Sequence, residues 1–458
     1  MRINEKKTGT QAIEELKKSQ PALNAIVSFY EEPVQEAESG KLAGVPVVLK
    51  DNINTKGHVT TASSRILENY VPVYDATIVK KLKDAGAVIV AKASMDELGM
   101  GGTNKNALTG AVHNPYDTAR ISGGSSGGSA VVVASGIVPL SIGTDTGDSI
   151  RKPAAYNGIV GVKPTYGRIS RYGIIPYASS LDHVGYFTTN VKDAALALEV
   201  LAGRDDHDMT SSYEPVGAYA DDLNGDLNGK TIGLFKTVND EVKDPVIKEA
   251  FDALCEKLKA AGAVLVEREM PKEYMELIAP VYKTIANAEA TANHSNLDGI
   301  RFGRRVDGDS VEDVMTRSRT EGFSSYVRAR FVIGSYSLFE ENQDRLFRKA
   351  QKIRRLIVEA YAKMFEGVDG VLSIAAPTIA PLIEQSADLR FGPSSFAEEH
   401  MQLANFSGYP SITLPLGKKD GMPVAVNVTC RPFEEQMMFD LAEGIEETTG
   451  LSDQVKEG

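Results

Sequence analysis

Apolar positions along this chain fall in short blocks separated by helical stretches, and the blocks outline its skeleton. Leu42 to Leu49 is almost wholly apolar and runs into Lys50 and Asp51, which predicts a buried strand ending on polar residues. Ile78, Val79, Leu82 and Ala85 follow at helical spacing, with Gly86 placed to stop the helix. Ala87 to Ala91 is a continuous apolar strand, and Ser94-Met95-Asp96-Glu97 has the form of a capping box, which predicts the start of the next helix. Strand, helix and strand in this order predict a sheet buried beneath helices on both faces.

A glycine- and serine-dense stretch then runs from Ser122 to Ser149, interrupted by a helix-like apolar block at Ala130 to Ala134. A helix is expected near Val191 to Leu201 and a polar, Asp-rich connection from Asp205 to Asn228. Lys230 to Phe235 reads as a strand, Pro245 to Ala261 as an amphipathic helix, and Val264 to Val266 as another strand. Residues 270–362 are charged and mostly helical in pattern. Strands return at Gly370 to Ala375, Pro410 to Leu416 and Pro423 to Cys430, the last two joined by a hairpin-type Asp420-Gly421, and a final helix follows Pro432.

Composition narrows the class. Hydrophobic residues make up 42% and charged residues 24% of 458, a globular balance that excludes disordered and fibrous chains. Apolar runs such as Ala130 to Ala134 are far short of the roughly 20 residues of a membrane helix, and Met1 to Lys6 has no apolar stretch behind it, so neither span nor secretion signal is expected. Two cysteines, Cys255 and Cys430, supply neither a disulfide framework nor a Cys-rich zinc site, which fits a cytoplasmic, metal-free chain. The six His show no metal-ligand spacing and are expected at the surface or in supporting positions. A formal charge of −12 leaves any nucleic-acid contact mainly to a partner, because such contact rests on Lys and Arg.

Two motif matches carry little weight. Gly123 to Gly127 fits G-x-S-x-G, yet the turn-like segment His113 to Asp117 precedes it where a nucleophile elbow needs a strand. Gly225 to Thr231 resembles a phosphate loop with one residue too few between its glycines, and is expected to be a turn before a strand. Three segments together carry more: Lys50 leaving an apolar strand, the serine pair in Gly123 to Ser129, and Ser149 in Gly143 to Ala154, where Pro153 suits the first turn of a short helix. A serine hydroxyl needs a base. A lysine becomes one when burial disfavours its ammonium form, a second serine can relay the proton, and backbone N–H groups from Thr146 to Ser149 can hold an oxyanion.

These segments resemble the amidase-signature family over nearly the whole chain, most densely from Gly44 to Thr188, including Val162 to Gly173 and Ser179-Ser180-Leu181-Asp182. The Lys163-Pro164-Thr165-Tyr166-Gly167-Arg168 run is similar to the branch that serves as glutamine-hydrolysing subunits of tRNA-dependent amidotransferases. The resemblance implies an α/β fold with a mixed β-sheet sandwiched between helices. It also implies one domain over residues 1–458, with a core at about 40–204 and 363–450 and an inserted, mostly helical region at about 205–362. By position it implies a catalytic Lys50, a bridging Ser125 on a cis peptide and a nucleophilic Ser149, at the family's own serine spacing. The oxyanion donors would be the N–H groups of Thr146, Gly147, Asp148 and Ser149, and the glutamine pocket Tyr282, Arg330 and Glu398, with Arg330 taking the carboxylate. No metal and no cofactor belong to the implied protein. ATP and Mg2+ act in a partner, and the implied partners are the amidotransferase B and C subunits and, through the complex, glutamyl-tRNA(Gln), with aspartyl-tRNA(Asn) left open.

Departures from the pattern are Asp148 for a usual glycine, Lys152 for a common glutamine, Glu398 for a common aspartate, and an amino end shorter by roughly one helix. Asp148 is expected to pair with Lys152 and leave its N–H free. The rival readings are a free-standing amidase for another small amide and a catalytically silent scaffold subunit.

Overall fold

Pro46–Lys50 shows no polar alternation because both of its faces are covered, and all five of its residues are buried. It is the second of eleven strands among the described residues: β1 (Ile26–Val34), β2 (Pro46–Lys50), β3 (Val88–Ala93), β4 (Leu140–Asp145), β5 (Val160–Lys163), β6 (His183–Thr188), β7 (Thr231–Phe235), β8 (Val264–Arg268), β9 (Gly370–Ile374), β10 (Ser411–Lys419) and β11 (Met422–Thr429). This computed structural model describes residues 2–4, 7–387 and 395–456. The strands form one mixed sheet in the order β1-β3-β2-β4-β6-β5-β10-β11-β9-β7-β8. The α/β class and the helix-covered mixed sheet are as the sequence predicts.

Alternate residues of a strand serve opposite faces. Val48, Val88 and Val90 pack with the helices Gly9–Leu23 and Gly127–Ala134 on one side of the sheet, while Val47, Leu49 and Ile89 join the larger core on the other. Lys50 shares the parity of Val48, so its side chain leaves toward the start of helix Gly127–Ala134. β2 and β4 are parallel neighbours, with Leu49 opposite Ile142, so their carboxyl ends reach the same edge of the sheet. That topology brings Lys50 to the loop that follows Asp145. β7 and β8 extend the same sheet beyond β9, and the helices Ser325–Leu338 and Lys349–Lys363 both pack on the helix Lys272–Asn293.

One expectation needs correction. Ser94 to Glu97 begins no α-helix: only a short turn, Glu97–Gly99, forms. The Glu97 carboxylate is turned inward, where it accepts the Ser64 hydroxyl at 2.6 Å and the Ser324 N–H, so it cannot close a capping box. His183, His294 and His400 are buried, which is compatible with the supporting positions expected as one of two placements. Of these, the His183 ring is hydrogen-bonded to Leu181 O and the His400 ring to the Ser373 hydroxyl.

Candidate functional site

Lys50 has no exposure to solvent, and its Nζ stands 2.8 Å from Ser125 Oγ, 2.8 Å from Ser126 Oγ and 2.9 Å from Thr144 Oγ1. No carboxylate lies within ion-pair distance of it among the described residues. Burial therefore dominates, pulling the Lys50 ammonium down to about 7, while the more distant Asp96, Asp145 and Asp182 oppose the shift. The Gly124–Ser125 peptide is cis. Ser126 is fixed by donating to Thr144 O at 2.9 Å, and Asn52 donates to Thr144 Oγ1 at 3.2 Å, so the polar shell of Lys50 is itself tied to β4.

The loop after β4 is held by a buried arginine. Arg151 donates through Nε to Asp145 Oδ2 at 3.1 Å and through Nη2 to Asp145 Oδ1 at 3.0 Å, Asn405 Oδ1 at 2.7 Å and Gly147 O at 2.8 Å. Its Nη1 donates to Met401 O at 2.7 Å. Burial alone would raise the Asp145 carboxyl, but Arg151 and the Ile150 N–H outweigh it and hold the group well below the usual carboxylate range. In a trans peptide the N–H points opposite the C=O. Capture of Gly147 O by Arg151 therefore turns the Asp148 N–H the other way. On the far side, Thr146 Oγ1 donates to Asp182 at 2.6 Å, and Asp182 also accepts the N–H groups of Tyr177 and Ala178. Among the described residues, the N–H groups of Thr146, Gly147, Asp148 and Ser149 donate to no protein acceptor. Ser149 is buried, and its hydroxyl likewise makes no hydrogen bond there.

The pocket residues expected from the resemblance divide into two groups. Tyr282 lies against the loop: a Cβ at Gly147 would stand 2.9 Å from Tyr282 Oη, so glycine is what admits the ring. Arg330 donates to Tyr177 Oη at 2.9 Å, to Asn287 Oδ1 at 3.3 Å and to Tyr326 Oη, and has no carboxylate partner among the described residues. Glu398 stands apart from these, lining a cavity of about 160 Å³ with Asp148, Lys152, Tyr156, Lys283 and Glu399. A second cavity, of about 280 Å³, touches Asn52, Gly99, Thr144, Thr146, Tyr177 and Asp182 on the other flank of the loop.

Lys152 does not form the expected ion pair with Asp148. Its Nζ donates to Glu398 O at 3.2 Å, and the Asp148 carboxylate accepts no hydrogen bond among the described residues. Residue-by-residue reading missed Arg151, Asp145, Thr144, Asp182 and Tyr177. The Asp145/Arg151 spacing across a loop into a short helix was the available signal for the first two.

The family model described as Amidase matches residues 10–439 of this chain. The chain is 42% identical to the A subunit of glutamyl-tRNA(Gln) amidotransferase from Koribacter versatilis, covering 89% of this chain and 84% of that protein. It is 40% identical to the protein of the same name from Lactiplantibacillus plantarum, covering 94% and 90%. Among solved structures, the A subunit of glutamyl-tRNA(Gln) amidotransferase from Thermotoga maritima superposes with a TM-score of 0.82 at 33% identity, over 98% of this chain and 93% of that one. The peptide amidase from Stenotrophomonas maltophilia gives 0.82 at 29% identity, over 97% and 93%.

Proposed function

The chain belongs to the amidase family, and from that premise we propose that it is the A subunit of a glutamyl-tRNA(Gln) amidotransferase, a glutaminase that supplies ammonia for converting glutamyl-tRNA(Gln) to glutaminyl-tRNA(Gln). The observation that carries this reading is identity of about 40% across nine-tenths of the chain to proteins of that name, from bacteria as different as Koribacter and Lactiplantibacillus. We read the whole chain as one domain, in which the helices between Lys272 and Lys363 cover the site.

In the proposed mechanism neutral Lys50 takes a proton from Ser125 as Ser125 takes the proton of Ser149. Ser149 Oγ attacks the side-chain amide carbon of glutamine, and the carbonyl oxygen becomes an oxyanion facing the N–H groups of Thr146 to Ser149. Collapse breaks the C–N bond while the proton returns through Ser125 to the leaving nitrogen, so ammonia departs and an ester remains on Ser149. Water then enters by the same relay and glutamate is released. The 2.8 Å contact of Lys50 with Ser125 and the lowered basicity of Lys50 support this assignment, as do the four N–H groups without protein acceptors. Arg330 takes the substrate carboxylate and Tyr282 walls the pocket, with Glu398 at its rim. The reaction calls on no cofactor of this chain, and among the described residues no three His, Cys, Asp or Glu side chains gather as metal ligands would. ATP and Mg2+ act in the partner subunits that activate the tRNA, and the B and C subunits carry the tRNA contact. No helix among the described residues is long and apolar enough to cross a membrane.

The deciding experiment measures transamidation by the chain with its B and C partners, using glutamine or ammonium as nitrogen donor. Ser149→Ala is expected to abolish the glutamine-driven reaction and spare the ammonium-driven one. Equal loss with both donors would remove the nucleophile assignment, and glutamine hydrolysis that is indifferent to partners and tRNA would favour a free-standing amidase.

A further inference from the structure

We propose that Glu97 is a positioning residue for glutamine hydrolysis: it fixes the start of the helix that carries Arg330 relative to the Lys50–Ser125 proton relay. This inference rests on the glutaminase reading above.

The short turn Glu97–Gly99 touches two parts of the site. On one side it backs the relay serine: the Asp96 N–H donates to Ser125 O at 3.2 Å, and a Cβ on Gly99 would stand 3.9 Å from Ser125 Oγ. The turn is itself pinned, because the Glu97 N–H donates to Asn106 Oδ1 at 2.7 Å and the Leu98 N–H to Ala62 O at 2.9 Å. On the other side the Glu97 side chain reaches the helix Ser325–Leu338. The cap of that helix, Ser324, accepts the Val327 N–H through Oγ at 3.3 Å and gives its own N–H to the Glu97 oxygens at 3.3 and 3.4 Å. Arg330 follows Ser324 by fewer than two helical turns, so the placement of the cap carries over to the guanidinium.

Glu97 is 2% exposed and has no cation within ion-pair distance among the described residues. A buried carboxylate is costly unless donors satisfy it. Here they are the Ser64 hydroxyl at 2.6 Å, the Ser324 N–H and the positive end of the helix that begins beside it. Burial raises the Glu97 carboxyl, and the hydrogen bonds from Ser324 and Ser64 oppose the rise. The side chain therefore holds the helix start as firmly as the helix start holds it. Among the described residues its carboxylate makes no hydrogen bond to Lys50, Ser125 or Ser149, so it acts through the helix and not on the reacting atoms.

The test measures two quantities on the full chain with its B and C partners: glutaminase kinetics, and the rate at which a small fluorophosphonate labels Ser149. The label has no carboxylate for Arg330 to hold, so it reads the relay alone. Glu97→Ala is expected to raise KM for glutamine about tenfold with a smaller change in kcat, and to leave the labelling rate within about twofold of the parent. Glu97→Gln keeps an oxygen for the Ser324 N–H and should restore KM to within about threefold of the parent. If the alanine variant does not fold, Glu97→Asp, whose carboxylate is one methylene short of the helix, carries the same expectation. In a cycle with Arg330→Lys the two KM effects should be less than additive, since the second change has little left to misplace. An unchanged KM in the Ala or Asp variant, a labelling rate that falls as far as kcat/KM, or strict additivity with Arg330→Lys overturns the Glu97 assignment and leaves the glutaminase reading intact. A parent whose Ser149 takes the label but which does not hydrolyse glutamine overturns the glutaminase reading, and this inference with it.

Discussion

Lys50 Nζ lies 2.8 Å from Ser125 Oγ on a side chain without solvent exposure, and no carboxylate pairs with it among the described residues. A lysine so placed is a base only when neutral. With its ionisation near pH 7, the neutral fraction falls as pH drops through that value. Single-turnover acylation by glutamine is therefore expected to slow about tenfold per pH unit below pH 7 and to level off above pH 8. Lys50→Arg should be inactive, because a guanidinium stays protonated throughout this range. A flat profile between pH 5.5 and 8, or an active Arg variant, would exclude Lys50 as the base.

The second expectation concerns the buried pair of Asp145 and Arg151. Replacing Asp145 by Asn keeps the shape but leaves Arg151 without its counter-charge, which costs on the order of 3–5 kcal/mol for buried pairs. Urea denaturation is the measurement. The sign of the pH dependence follows from the depressed carboxyl of Asp145. Its contribution is complete above the ordinary carboxylate value of about 4 and is lost as pH falls below it. The parent should lose stability on acidification more steeply than Asp145→Asn, and parallel curves would show that the pair does not set the loop's stability.

What the linear sequence revealed depended on how local each cause was. The segment from Leu42 to Ala91 was legible because its strands are buried on both faces and its helix carries one apolar stripe with a glycine stop, all local patterns. β4 was not. Ser141, Gly143, Thr144 and Asp145 resemble loop residues, and they form a strand because β2 and β6 flank them and because polar side chains find partners, as Ser141 Oγ does on Val48 O at 3.0 Å. The capping box failed for the same reason, since Glu97 is claimed by Ser64 and by Ser324, far along the chain. Lys50 and the two serines were visible only as a set. Arg330 was reached only through the resemblance, and only the fold reveals Tyr177 and Tyr326 around it.

Arg330 carries the third prediction. A guanidinium can hold a carboxylate through two parallel donors, which an ammonium cannot copy. Arg330→Lys is expected to raise KM for glutamine by about ten- to a hundredfold with a smaller effect on kcat, and to leave a primary amide without a carboxylate, such as butyramide, unchanged. Equal losses on both substrates would assign Arg330 to holding Tyr177 and Tyr326 in place.

The last prediction separates through-space influence from direct pairing at Asp148 and Lys152. The two side chains share a cavity without an ion pair, because the Lys152 ammonium goes to Glu398 O. Its positive charge still favours the ionised form of Asp148, alongside Arg151 and against Asp145 and Glu399. Lys152→Gln removes that help, so Asp148 should ionise at a higher pH than its present value of about 7. Less of it is then charged at neutral pH, so the glutaminase rate of Lys152→Gln should differ from that of the parent at pH 7 and converge with it near pH 8.5. In an Asp148→Gly background the same lysine change has no carboxylate to act on. The pH-dependent part of its effect should disappear, which a double-mutant cycle run at both pH values measures directly. A difference that persists at pH 8.5, or one that survives in the glycine background, would mean that Lys152 acts by positioning Glu398 and not through the charge of Asp148.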